Sequence, residues 1–126
     1  MTTDARSAYM NASIATAGPA QLLVMLCERL VLDLERGLVS LQSGAIDETN
    51  RHLVHAQDIV VELRSSLRVD DWEGGPGLAS IYDYVHLNLV RANVTKDAAL
   101  VADTLTLVTE LSRTWREAAL TAVRVA

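Results

Sequence analysis

Leucine recurs at Leu22, Leu23, Leu26, Leu30, Leu34, Leu38 and Leu41, mostly at spacings of three and four. That is the period of one face of an α-helix, and it predicts a helix of about six turns. Pro19 suits the first turn, where its missing N–H costs nothing. Ser43-Gly44 punctuates the end, and Gly37 is expected to be a tolerated weakness inside the helix. The same period returns three times further along the chain, and no segment reads as a strand. A chain with this pattern is restricted to packing helix on helix.

The second helix is expected from about Ala45 to Leu67, with Ile46, Leu53, Ala56, Ile59 or Val60, Leu63 and Leu67 facing inward. The short break before it makes the first two helices an antiparallel hairpin. Residues 68–77, RVDDWEGGPG, read as the one long loop, with Trp72 half exposed and packing back on a helix end. A third helix is expected from Gly77 to Ala92, with Asn93 ending it in a left-handed cap. Asp97 then caps a fourth helix running to about Ala122 through Leu100, Val101, Leu105, Val108, Leu111, Trp115 and Ala118. Residues 1–17 lack a strong pattern and are expected to form an N-terminal arm or short helix. Residues 18–126 form the bundle. The fold class predicted is all-α, an antiparallel four-helix bundle.

At 126 residues the chain is one domain, long enough to fold without disulfides or metal. The lone Cys27 cannot form an internal disulfide and fits a reducing compartment. The N-terminus lacks the basic and apolar regions of a secretion signal. No apolar run approaches the roughly 20 residues needed to span a bilayer, so a soluble cytoplasmic protein is expected. The net charge of −5, with its basic residues scattered, argues against nucleic-acid binding. Half the residues are apolar and few are aromatic. This surplus for a small domain points to an exposed apolar surface for a partner or for self-association.

Catalytic chemistry finds little support. His52, His55, Asp58 and Glu62 share one helix and are the best metal candidates, but carboxylate-bridged dimetal bundles need glutamate–histidine pairs on two helices. A solvated helix face explains them better. Cys27 reads as a buried small hydrophobe and His86 as a surface or interface residue. The glycines at 74, 75 and 77 follow a helix rather than a strand and lack a phosphate-binding lysine. Asn93-Val94-Thr95 matches a glycosylation sequon, which has no role without secretion. No enzyme, metal or cofactor is expected. The segment from Ser80 to Asp97 stands out instead, with the Tyr82-Asp83-Tyr84 triplet followed by Arg91, Asn93, Lys96 and Asp97. It reads as a surface for holding another polypeptide.

Several motifs occur together in order: Tyr9 in the arm, Pro19-x-x-Leu22-Leu23, Ala56-Gln57-Asp58-Ile59, Leu63-Arg64-Ser65-Ser66-Leu67, Leu78-x-x-Ile81-Tyr82-Asp83-Tyr84, Ala92-Asn93-x-x-Lys96-Asp97 and Trp115. Over residues 9–119 the chain thereby resembles the FliS family of flagellar secretion chaperones. It departs from the family pattern at Cys27, where members often carry tyrosine, in the loop from Asp70 to Gly77 and from Leu120 onward. The resemblance implies a four-helix bundle that binds the C-terminal segment of flagellin. Binding would prevent premature polymerisation and hold the subunit for type III export. It also implies components of the export gate as further partners, and a monomer or weak homodimer when free. The N-terminal arm would cover part of an empty client groove, making Tyr9 a displaceable lid residue.

The residues themselves suit such a role. A client that orders on binding must bury a long apolar surface to offset its lost entropy. Tyrosine offers a large apolar body with a polar tip. Tyr82, Tyr84, Arg91, Asn93 and Lys96, with Tyr9, are the candidate partner-binding residues. The alternative is a self-associating helical module whose apolar surplus forms a homodimer interface.

Overall fold

The computed structural model describes the backbone of residues 18–125 and the side chains of residues 18–121. Four α-helices follow one another: α1 (Pro19–Gln42), α2 (Ile46–Ser66), α3 (Gly75–Thr95) and α4 (Ala98–Val125), with a 3-10 turn at Val69–Asp71 between α2 and α3. No strand forms among the described residues. The helices pack in cyclic order, α1 against α2 and α4, and α3 against α2 and α4. The core is aliphatic: Leu30 and Leu34 of α1, Leu53 and Val60 of α2, Val85 and Leu89 of α3, and Val101 and Val108 of α4 are buried. The expected arm over residues 1–17, Tyr9 included, lies outside the described residues.

Local chemistry sets most of the helix ends. Pro19 occupies the first turn of α1. At its other end Gly44 takes the left-handed conformation, and the Ala45 amide donates to the Ser40 carbonyl at 2.9 Å. Asp47 and Glu48 in the first turn of α2 and Arg64 in its last complement the helix dipole. Asp97 caps α4 as its position predicts, its Oδ1 accepting from the Leu100 amide at 3.1 Å. The threonines of α4 do not break the helix because their hydroxyls turn inward along it. Thr104 and Thr109 each donate to the carbonyl four residues earlier at 2.7 Å.

Three expectations are corrected. The third helix starts at Gly75, two residues early, with Pro76 in its first turn. A side chain at Gly75 would meet the Val69 carbonyl oxygen at 2.0 Å, so only glycine lets α3 begin so close to the preceding 3-10 turn. The helix also ends later than Asn93. Asn93 stays helical, and Lys96 takes the left-handed conformation at φ 51°. The reason is tertiary: Asn93 Nδ2 donates to Asn50 Oδ1 on α2 at 2.8 Å, and Lys96 Nζ donates to Asn93 Oδ1. These bonds offset the roughly 1–2 kcal/mol cost of a left-handed L-residue. Gly37, finally, is no mere weakness. A Cβ there would lie 3.0 Å from Leu53 Cδ2, so the glycine lets α1 and α2 approach closely.

Candidate functional site

An apolar groove of about 360 Å³ lies at the end of the bundle where α1 begins. Leu22, Leu23 and Leu26 come from α1, Leu63 from α2, and Leu78 and Tyr82 from α3. Glu62 and Arg68 add the charged groups of its lining. The leucine spacing on α1 explains it. Leu30 and Leu34 at the middle of the stripe are buried, while Leu22, Leu23 and Leu26 near its start stay partly open.

On the neighbouring seam, between α2 and α3, a second hollow of about 300 Å³ is lined by Val60, Val61, Arg64, Tyr82, Asp83 and His86. Arg64 Nε donates to Asp83 Oδ1 at 3.1 Å across it. Tyr82 therefore contributes to both depressions. Its ring is 2 % exposed and belongs to the core, whereas Tyr84 is 57 % exposed. Tyr84, Leu87, Arg91 and Val94 recur at three- and four-residue steps and are all exposed, forming one outward stripe along α3.

The candidate residues thus fall into separate groups. Tyr82 walls the grooves, Tyr84 and Arg91 share the outer stripe, and Asn93 with Lys96 braces the end of α3 against Asn50. About 16 Å of helix separates Tyr82 from Asn93.

The four-residue metal candidate is also divided. His55 pairs through Nδ1 with Asp33 of α1 rather than with Asp58 or Glu62. Among the described residues no group of three or more His, Cys, Asp and Glu side chains is placed to hold a metal. Asp33 is the residue that sequence reasoning missed. Its side chain is fully buried, and Arg29 Nε donates to its Oδ1 at 3.1 Å. The available signal was an acid at the edge of the Leu30–Leu34 stripe.

A bundle with these ordered motifs and grooves has matches among known proteins. The family model described as flagellar protein FliS matches residues 1–122. The chain belongs to the FliS family. It is 28 % identical over 112 residues to a flagellar secretion chaperone FliS of Bacillus subtilis (strain 168), covering 89 % of this chain and 84 % of the relative. It is 27 % identical over 109 residues to a flagellar secretion chaperone FliS of Vibrio cholerae serotype O1 (strain ATCC 39315 / El Tor Inaba N16961), with 84 % and 79 % covered. A crystal structure of a flagellar chaperone from bacteria has the same fold, with a TM-score of 0.75 at 19 % identity over 96 % of this chain and 99 % of that one. No described helix is long and apolar enough to cross a membrane.

Cys27 is buried near Tyr82. Burial, with a smaller contribution from Glu28, pushes its thiol up to about 12. Burial likewise raises the Tyr82 phenol, and Cys27 adds to the effect. The Trp115 indole next to the phenol opposes the rise slightly, yet its Nε1 has no partner of hydrogen-bond geometry among the described residues. Trp72 closes over this end as expected, 47 % exposed and edge-on to Trp115 with ring centroids 6.5 Å apart.

Both raised groups ionise in the unfolded chain before they do so in the native one. Their contribution to stability is complete below pH about 9 and is lost as the pH climbs toward 12. Thermal melts across that range are expected to show a falling Tm, with a shallower fall in Cys27→Ala. An unchanged slope in that variant would mean that the native thiol ionises normally.

Proposed function

We propose that this chain is a cytoplasmic export chaperone for flagellin. It holds the C-terminal segment of the subunit, blocks premature polymerisation and keeps the client ready for the flagellar type III apparatus, whose gate components are further partners. The carrying observation is the open apolar groove between α1, α2 and α3 in a chain of the FliS family. Helix-in-groove recognition needs such a furrow, and the family relatives are named as flagellar secretion chaperones. Nothing in this role requires catalysis. The second hollow shares Tyr82 with the first, which supports a client that wraps from one seam to the next.

In this reading Tyr82 contacts the client from the groove wall, and Tyr84 and Arg91 contact it from the outer stripe. Asn93 and Lys96 offer hydrogen bonds at the far end of α3. Pro19 and Ala20, at the start of the described chain, line the groove. Tyr9 in the N-terminal arm is proposed as the displaceable lid.

Calorimetric titration with the flagellin C-terminal segment is the direct test. A one-to-one complex with a negative heat-capacity change is expected, because the client buries apolar surface as it orders. Light scattering on the free and mixed protein supplies the contrast. A stable dimer indifferent to the segment would favour self-association and remove the chaperone reading.

A further inference from the structure

The α1–α2 seam continues beyond the apolar groove into a pocket of different character. Arg29, Asp33 and Arg36 of α1 and Arg51, His52 and His55 of α2 line a volume of about 260 Å³. Three of the chain's eleven Lys and Arg residues and two of its three histidines meet here, in a protein of net charge −5. The one carboxylate present is already engaged: Asp33 accepts from Arg29 with one oxygen and pairs with His55 through the other. Arg36 and Arg51 are exposed and have no ion-pair partner among the described residues. The lining of the pocket thus carries three guanidinium groups against one carboxylate, with Glu35 and Glu48 in the adjoining hollow that shares Arg36 and His52.

Its place in the fold is as telling as its charge. On α1, Leu22, Leu26, Arg29, Asp33 and Arg36 recur at steps of four and three along one edge. On α2, His52, His55, Glu62 and Ser66 run along the facing edge in the opposite direction. The apolar groove and the arginine pocket therefore lie end to end on one seam, about 15 Å apart along α1 from Leu26 to Arg36.

From this we infer that the seam is a track for an acidic amphipathic peptide: its apolar side chains seat among Leu22, Leu23 and Leu26, and its carboxylates lie over Arg36, Arg51 and His52. A helical occupant would carry its acids about ten residues from its apolar anchors, and an extended one about four to five. Charge complementarity selects this occupant. Arginine guanidinium groups pair with carboxylates bidentately, and the shared seam joins that recognition to the apolar anchor. A free small anion would gain nothing from the adjoining groove.

The inference rests on the reading that the groove takes a client peptide, and the test separates the two. The probes are two fluorescently labelled synthetic amphipathic peptides with the same leucines, the glutamates of one being glutamines in the other. Titrated into the full chain at low salt, the glutamate peptide is expected to bind about tenfold more tightly. That preference should shrink as salt is raised. Arg36→Glu with Arg51→Glu should abolish it while the glutamine peptide still binds through the apolar groove, and an unchanged circular dichroism spectrum shows that the variant is folded. Arg113→Glu on α4 controls for net charge and should leave the preference in place.

Equal affinity for the two peptides, binding of neither, or a preference that survives the double reversal would overturn the inference. If the acidic preference holds but the flagellin segment does not bind, the track stands and the flagellin assignment falls.

Discussion

Replacing Tyr82 by alanine is expected to lower the unfolding free energy by about 3–5 kcal/mol. For a domain of this size that is a drop in Tm of roughly 10–20 °C. The ring is almost completely buried among the core residues of all four helices, and its loss would leave a cavity that the rigid helix backbones cannot close. Tyr82→Phe keeps the ring and removes only the hydroxyl, so a change within about 1 kcal/mol is expected. Denaturant unfolding followed by circular dichroism measures both. An alanine variant that loses less than about 1 kcal/mol would put the ring at the surface.

Removing the partners of Asp33 should cost more than removing Asp33. Arg29→Ala with His55→Ala removes both partners of the Asp33 carboxylate, a loss of about 3–5 kcal/mol. Asp33→Asn leaves instead two side chains that are each about half exposed and can turn to water. Its cost is expected to be about 1–2 kcal/mol. The triple variant should therefore be more stable than the double one. Strict additivity of the three substitutions in a mutant cycle would refute the account, because it would mean that Asp33 does not interact with its neighbours.

The contrast between these two residues shows where sequence reading succeeds. Pro19, Gly44 and Asp97 mark helix ends through backbone preferences that act within a few residues, and the structure keeps all three. Asn93 has an equally genuine local preference for ending a helix. It is overridden by a hydrogen bond to Asn50, forty-three positions away, which no local pattern contains. Asp33 stands four residues after Arg29, and nothing local marks its carboxylate as buried. Only the docking of α2, which brings His55 against it, turns it into a buried one. Tyr82 and Tyr84 look alike as neighbours in a triplet, yet a two-residue step on a helix turns one ring into the core and the other into solvent.

The sequence by itself determined four amphipathic helices, most of their ends and, through the order of its motifs, the family. Hydrophobic period and capping chemistry act along a single helix, so a single chain states them fully. The tertiary structure alone decided which helix edges face one another. That choice opened the groove beneath Pro19, buried Asp33 and set Arg29 and Arg36 of α1 beside Arg51 of α2. Periodicity records that a face is apolar, but the partner that covers it, or leaves it open, is fixed only by packing between residues far apart in the chain.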